Sequence, residues 1–187
     1  PVEHLAALRA IPGLYVYRPA DPVETAECWA LALHRSDALS LMALTRQALP
    51  LLRREPSEDN RSAHGAYVLA EAEGMRQVTL IASGSEVSIA MMAREALAKD
   101  GVQAAVVSMP CWELFEAAPR EYRDQVLGTA PRVGVEAAVG LGWHRWIGRH
   151  GAFIGMHGFG ASAPGEALYP HFGITPEKVA EAARSLL

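Results

Sequence analysis

A single arginine, Arg46, follows a short apolar run in the stretch LMALTRQALP, residues 41–50. Four apolar residues in succession, 41–44, are typical of a strand that is covered on both faces in a parallel sheet. The carboxyl end of such a strand is where open α/β sheets bind their ligands. An arginine there has two interpretations: it ends the strand in solvent, or its guanidinium binds an anion. From position alone, the solvated strand end is the simpler of the two.

The turn Ser83-Gly84-Ser85 is a second candidate site, because it joins an apolar strand to an amphipathic helix in LIASGSEVS. The free N–H groups and the positive end of the dipole at a helix N-terminus can bind an anion. This turn is not a phosphate loop, since the glycine pattern and the lysine of such loops are missing. Ser85, followed by Glu86, is also a residue type that caps helices. We therefore expect capping here rather than a ligand site.

The histidines and cysteines do not form a recognisable catalytic or metal-binding set. No two histidines have the i, i+4 spacing with a glutamate between them that a zinc protease helix needs. Cys28 and Cys111 lie far apart and match no metal or redox spacing. We expect buried or half-buried cysteines and surface or interface histidines, and we expect the glycine-rich stretch HGFGASAPGEAL to be a loop before a helix. The histidines are His4, His34, His64, His144, His150, His157 and His171.

The composition limits the classes of partner. The chain has 187 residues, half of them hydrophobic, and a formal net charge of -4, which offers no basic surface for nucleic acid. No apolar run approaches the roughly 18 residues of a membrane helix, and we expect no signal peptide. We expect a cytoplasmic protein with neither a membrane nor a nucleic-acid partner. The chain begins with Pro1 instead of Met, which favours a processed chain or a segment of something longer.

The pattern of residues 1–50 predicts helix, strand, helix and strand in that order. In PVEHLAALRAIPG, Pro1 suits a first helical turn and Gly13 a helix end. LYVYRP favours a strand, DPVETAECWALALHR a helix with Asp21 as N-cap and Pro22 at its first position, and ALSLMALT a second strand. The last three elements form a βαβ unit with parallel strands. Two strands cannot bury their own faces, so this unit needs more sheet than the chain supplies.

The polar stretch RREPSEDNRSAHG, residues 53–65, is the best candidate for a linker. Beyond it, strands are expected in GAYVLAEAEG, QVTLIASGS, VQAAVVSMP, RVGVEAA and AFIGMHGFG. Helices are expected in EVSIAMMAREALAKDG, REYRDQVL, GWHRWIGRHG and TPEKVAEAARSLL, the last with Thr175 as its cap. This alternation predicts an α/β fold with a compact, largely parallel, Rossmann-like sheet that is covered on both faces.

Several stretches, in order along the chain, resemble one family, transketolase. They are RPADPVETAECW, ALTRQALP, GAYVL, LIASGSEVSIA, VVSMPCWELFE, YRDQVL, RVGVEA and FGASAPGEALYPHFGITPEKVA. SGSEV also recurs in related thiamine enzymes, but TRQ followed by GAYVL, SGSEV and FGASAP at these separations is specific. The resemblance covers essentially the whole chain and implies the carboxyl-terminal third of a transketolase.

The resemblance divides the chain into two parts and gives Arg46 a role. Residues 1–60 would be the incomplete end of the domain that binds the pyrimidine of thiamine diphosphate, and residues 65–187 the carboxyl-terminal domain. Arg46 matches the family arginine that binds the phosphate of the sugar substrate, with Thr45 in place of the usual serine. The paired donors of a guanidinium suit phosphate oxygens, and its charge is permanent.

The resemblance also implies which parts of the enzyme lie elsewhere. The family uses thiamine diphosphate and Mg²⁺, yet their Gly-Asp-Gly motif is missing from this sequence and Asn60 is its only asparagine. We therefore expect no catalytic, cofactor-binding or metal-binding residue in this segment, and no activity from it alone. The complete enzyme would transfer a two-carbon ketol unit from a ketose phosphate to an aldose phosphate in the pentose phosphate pathway. Its partners would be sugar phosphates, the remaining amino-terminal domains and a second subunit of a cytoplasmic homodimer.

Two other interpretations remain open at this point. Other thiamine diphosphate enzymes share the domain order, among them 1-deoxyxylulose-5-phosphate synthase and the β subunit of 2-oxoacid dehydrogenases, although TRQ and FGASAPGEAL favour transketolase. Alternatively, the chain is a non-catalytic α/β module for assembly or for binding a small regulatory ligand at the turn 83–85.

Overall fold

The computed structural model describes residues 2–54 and 57–187. The expected place of Pro1 in the first helical turn, and residues 55–56 of the predicted linker, lie outside the described residues.

The helices and strands follow the predicted alternation, except that a further helix lies in WELFEA, where none was predicted. The helices of the described residues are α1 (His4–Arg9), α2 (Pro22–His34), α3 (Glu86–Lys99), α4 (Trp112–Ala117), α5 (Arg120–Leu127), α6 (His144–Ile147), α7 (Gly165–His171) and α8 (Pro176–Arg184), with a 3-10 helix at Arg61–His64. The strands are β1 (Leu14–Tyr17), β2 (Leu39–Met42), β3 (Tyr67–Ala70), β4 (Val78–Ala82), β5 (Ala104–Ser108), β6 (Arg132–Val139) and β7 (Ala152–Met156).

The strands form two sheets. β1 and β2 pair in parallel, which confirms the βαβ unit. The other five strands have the order β3-β5-β4-β6-β7, parallel except for β3, which runs antiparallel to β5 at the edge. The prediction of an α/β fold with a largely parallel sheet is confirmed.

The five-stranded sheet is covered on both faces, because alternate strand residues point to opposite sides. Leu80 and Val106 face a core that includes residues of α3 and α8. Ile81 and Val107 face a second core, to which α4, α5 and α6 contribute aromatic and aliphatic side chains such as Phe115. Such double coverage is the usual environment of a parallel sheet.

The expectation that strand β2 is covered on both faces is wrong for this chain. Leu39 is 71% exposed, and the run 41–44 is half-buried or exposed. Within the described residues β2 pairs only with β1, so one edge of β2 and part of its surface face solvent. An apolar run alone indicates a strand, but its coverage depends on neighbours that lie elsewhere.

The described part of the predicted linker packs against helix α2. The guanidinium of Arg53 donates two hydrogen bonds to Glu27, at 2.7 and 2.8 Å. The same carboxylate accepts hydrogen bonds from the hydroxyl of Ser62 at 2.7 Å and from the backbone N–H of Arg61 at 3.3 Å. The division of the chain at about residues 60–65 stays a prediction, but the connection is held in place at both of its described ends.

Candidate functional site

Arg46 lies in an exposed bend a few residues beyond the carboxyl end of β2. The bend is closed by its neighbours, because the hydroxyl oxygen of Thr45 accepts a hydrogen bond from the backbone N–H of Gln47 at 3.2 Å. The Thr45 hydroxyl also donates to the side-chain oxygen of Gln47 at 3.4 Å. The Arg46 side chain is exposed, and among residues 2–54 and 57–187 no carboxylate pairs with it.

The turn at 83–85 does not have the expected helix cap. Ser85 precedes α3 but makes no side-chain hydrogen bond to the helix backbone. Its hydroxyl donates instead to the carboxylate of Glu86 at 2.7 Å and accepts from the hydroxyl of Tyr169 at 2.9 Å. A tyrosine 84 residues away therefore takes the place of the local backbone as the partner of this serine.

Arg18, from the end of β1, fills the place where an anion could have approached this turn. Its guanidinium pairs with Glu86 and donates to the backbone oxygen of Ser83 at 2.8 Å. Its side chain lies over Gly84, since a Cβ built on that glycine would come 2.8 Å from the Cγ of Arg18. Burial would lower the pKa of Arg18, but the charges of Glu86 and Glu136 outweigh burial and raise it. The negative charge expected at this helix N-terminus is thus supplied by the protein itself.

Glu136, in the middle of β6, is the fully buried centre of the same ion network. Its carboxylate accepts hydrogen bonds from both terminal nitrogens of Arg9, each at 2.8 Å. It also accepts hydrogen bonds from the hydroxyl of Ser83 at 2.5 Å and from the indole N–H of Trp143 at 2.9 Å. Burial raises its pKa, but Arg9 and Arg18 outweigh burial and lower the pKa to about 2. The carboxylate therefore stays charged, and it ties α1 and the end of β1 to the five-stranded sheet.

A cavity of about 380 Å³ lies beside this network. Thr45 and Gln47 of the arginine bend line one side of it, and Gly160 and Gly165 of the glycine-rich stretch line another. Its volume is within the range of small-molecule sites, and its wall is mainly apolar. Arg46 itself is not among the residues that line the cavity.

The glycine-rich stretch and the arginine bend are in contact. A Cβ built on Gly165 would lie 1.4 Å from the side-chain nitrogen of Gln47 and 2.5 Å from its carboxamide carbon. Residues 157–164 lack regular structure and α7 begins at Gly165, as expected for a loop before a helix. Two motifs that are more than 100 residues apart in sequence therefore meet at this glycine.

The histidines and cysteines do not form a further candidate site among the described residues. All seven histidines are exposed, and both cysteines are buried beside Tyr17, as expected. Burial raises the pKa of both thiols, which makes them poor nucleophiles. Among the described residues, no three histidine, cysteine or acidic side chains are grouped so that they could hold a metal ion.

The buried ion network could not be predicted from the sequence. Arg9, Arg18, Glu86 and Glu136 are separated by up to 127 residues and have no diagnostic spacing. The only indication of the network in the sequence is weak: Glu136 interrupts the otherwise apolar predicted strand RVGVEAA. A charged residue inside a buried strand requires a partner, although the sequence does not say which residue it is.

The described helices include none that combines the length and the apolar character needed to span a bilayer.

Comparison with known proteins identifies two family models in the chain. Residues 1–51 match the pyrimidine binding domain of transketolase, and residues 65–175 match the transketolase-like C-terminal domain. The chain is 60% identical to a transketolase of Sinorhizobium medicae over 188 aligned residues, which cover 100% of this chain and 27% of the relative.

Solved structures agree with the sequence matches. Transketolase from Leishmania mexicana is 44% identical with a TM-score of 0.88, and the match covers 100% of this chain and 27% of that one. A transketolase from Pichia stipitis, described as a complex with sedoheptulose-7-phosphate, is 36% identical with a TM-score of 0.91 at the same coverage. The chain thus spans about 27% of the length of these relatives.

Proposed function

The chain belongs to the transketolase family, and from this premise we propose that it forms the carboxyl-terminal part of a ketol-transferring enzyme. The enzyme transfers a two-carbon ketol unit from a ketose phosphate to an aldose phosphate, with thiamine diphosphate and Mg²⁺ as cofactors. The observation that carries the proposal is the succession of the two transketolase matches, at residues 1–51 and 65–175. We also propose that it acts in the cytoplasm as a homodimer in the pentose phosphate pathway.

The cofactor site lies outside this segment in our proposal. The described residues offer no cluster of metal ligands, and the buried carboxylates Glu86 and Glu136 are already paired with arginines. The two paired carboxylates do not fit a diphosphate with its metal ion, and in this proposal segments outside this chain supply the ligands. Thiamine diphosphate supplies the carbanion chemistry when it is bound, and the protein orients the substrate.

Arg46 binds the substrate phosphate in this proposal. Its guanidinium is exposed and has no carboxylate partner among the described residues, so it can give paired donors to phosphate oxygens. The bound sedoheptulose-7-phosphate of the Pichia stipitis relative supports a phosphorylated sugar as the ligand class. The role of Arg46 is positioning: binding the remote phosphate orients the carbons that react.

The two domains of the proposal have different roles. Residues 1–60 carry Arg46 and complete the pyrimidine-binding domain together with segments outside this chain. Residues 65–187 form the carboxyl-terminal domain, which supports the first part through the ion network centred on Glu136.

Substitution of Arg46 in the complete enzyme tests this role. Arg46→Ala should raise the KM for phosphorylated donors and acceptors and leave the affinity for thiamine diphosphate unchanged. Removing one partner of a charge-assisted pair costs about 2–5 kcal/mol when the other charge is left buried, and we expect the lower end at this exposed bend. The kcat should also fall, because remote binding energy is used for orientation. Steady-state kinetics with a ketose phosphate donor measure both parameters.

Hydroxypyruvate, a donor without a phosphate, is the decisive control. Its kcat/KM should hardly change in Arg46→Ala when the acceptor is present at saturation. An equal loss with hydroxypyruvate and with a sugar phosphate would show that Arg46 supports the fold or the cofactor pocket instead.

A further inference from the structure

The contact between Gly165 and Gln47 links the carboxyl-terminal domain to the arginine bend. Gly165 is the first residue of α7, and its α-carbon lies against the carboxamide of Gln47 so closely that no side chain fits between them. We propose that Gly165 is a positioning residue: it holds Gln47, and through Gln47 the bend that carries Arg46, in the conformation that binds a sugar phosphate. This inference rests on the proposed function, since it assigns a second residue to the same phosphate site.

The bend depends on a pair of side chains on either side of Arg46. Two hydrogen bonds connect Thr45 and Gln47. The Thr45 hydroxyl accepts one from the backbone N–H of Gln47 at 3.2 Å and donates the other to the side-chain oxygen of Gln47 at 3.4 Å. Because Arg46 lies between these two residues, the pair determines the direction in which its side chain leaves the backbone. The Thr45 hydroxyl can keep its second bond only while the carboxamide of Gln47 stays in its present position.

Gly165 determines the position of that carboxamide. A Cβ at residue 165 would lie 1.4 Å from the Gln47 nitrogen, far inside any possible contact. Gln47 has an exposed, flexible side chain, so it would rotate away while the backbone of α7 stays in place. An alanine at the start of a helix is also tolerated at least as well as a glycine. The substitution Gly165→Ala should therefore break the 3.4 Å bond between Thr45 and the Gln47 side chain and loosen the bend, which then keeps only the 3.2 Å backbone bond, without a large effect on folding.

The same loop contains a matched control. Gly158 has no atom within 4 Å of its virtual Cβ, and its φ is outside the left-handed region. Gly158→Ala consequently adds the same methyl group to the same glycine-rich stretch without contact to the bend. Any effect that appears in Gly165→Ala and is missing in Gly158→Ala belongs to the contact with Gln47.

Kinetics of the complete enzyme provide the first test. Gly165→Ala should lower kcat/KM for a ketose phosphate donor by about tenfold, since misplacing a substrate-binding group by about 1 Å can cost up to a hundredfold. The value for hydroxypyruvate should stay within about twofold of wild type, as should both values for Gly158→Ala. An equal loss with both donors would overturn the positioning role.

A double-mutant cycle identifies Gln47 as the intermediary. Gln47→Ala removes the side chain that the new methyl group would meet, so Gly165→Ala should have little further effect in that background. Independent, additive losses would contradict the proposal, because they would show that Gly165 acts without Gln47.

Hydrogen exchange separates a failure of this inference from a failure of the proposed function. In Gly165→Ala, backbone amides of residues 43–49 should exchange faster than in wild type or Gly158→Ala, whatever the enzyme's substrate is. Unchanged exchange would overturn the contact as a restraint on the bend. Faster exchange with no selective kinetic loss would also overturn the positioning role. If Arg46→Ala itself shows no selectivity for phosphorylated donors, the proposed phosphate site is what fails, and this inference fails with it.

Discussion

Two buried glutamates show how the neighbours of a residue decide its charge. Glu136 is surrounded by arginines, and its pKa falls to about 2 despite burial. Glu24 accepts hydrogen bonds from Tyr67 and Ser108, and no arginine of the described residues pairs with it. Burial raises its pKa. The two carboxylates are equally inaccessible to solvent, so the difference arises from their partners and not from burial.

The pKa of Glu136 predicts a defined loss of stability in acid. Because its folded pKa of about 2 lies below the ordinary value of 4.5, its stabilisation is complete above pH 4.5 and disappears as the pH falls towards 2. A difference of that size corresponds to about 3 kcal/mol of unfolding free energy. Glu136→Gln cannot titrate, so the stability gap between wild type and variant should be wide at pH 7 and narrow at pH 3. Urea unfolding at both pH values measures this difference in free energy of unfolding. An equal difference at pH 7 and pH 3 would contradict the lowered pKa of Glu136.

At the scale of elements, helix ends were predictable where the capping signal is local. Asp21 and Thr175, each followed by proline, cap α2 and α8 as expected. Ser85 is also a capping residue type, although Glu86 and not proline follows it. Its hydroxyl bonds to Glu86 and to the remote Tyr169 instead of the helix backbone. Local propensity is a reliable guide only until a buried charge nearby competes for the same group.

Asp21 should matter more than an ordinary helix cap. One carboxylate oxygen accepts the N–H of Glu24 at 2.8 Å, and the other accepts the N–H groups of Leu52 and Arg53, both at 3.1 Å. Asp21→Ala leaves two buried donors and the half-buried N–H of Leu52 without partners, so we expect a loss of about 3 kcal/mol of unfolding free energy. Thr175→Ala, which removes an exposed cap, should cost about 1 kcal/mol. Chemical denaturation compares the two, and equal losses would show that Asp21 does no more than cap α2.

At the scale of the whole molecule, the sequence predicted the strands and helices but not how the two parts contact each other. The alternation of apolar and polar residues is local, and it predicted the fold class. The contacts between the parts use charged residues such as Arg9 and Glu136, 127 residues apart, whose types normally indicate surface. The contact of Gly165 with Gln47 is equally non-local and could not be predicted either. The phosphate-binding role of Arg46 came from the resemblance of the TRQ motif and stays a proposal.

The connection between the two parts is restrained by hydrogen bonds to Glu27, and removing them tests how much they stabilise it. Glu27 accepts hydrogen bonds from Arg53, Arg61 and Ser62, so a single carboxylate restrains the residues on both sides of positions 55–56. Glu27→Ala removes all of them, and each hydrogen bond to a charged group contributes about 1.5–3 kcal/mol. Local opening should then become more populated, and trypsin should cleave after Arg53 and Arg61 at least about tenfold faster.

The comparison must separate local release from general unfolding. Cleavage after Arg120, an exposed residue of α5 in the carboxyl-terminal domain, should keep its wild-type rate in Glu27→Ala, because the sheet that α5 covers does not depend on Glu27. Glu58→Ala, which removes an exposed carboxylate from the same connection, should change neither site. Mass spectrometry of timed digests identifies each cut. Equal acceleration at Arg53, Arg61 and Arg120 would mean that Glu27 stabilises the whole molecule; no acceleration at Arg53 or Arg61 would mean that other contacts hold the connection.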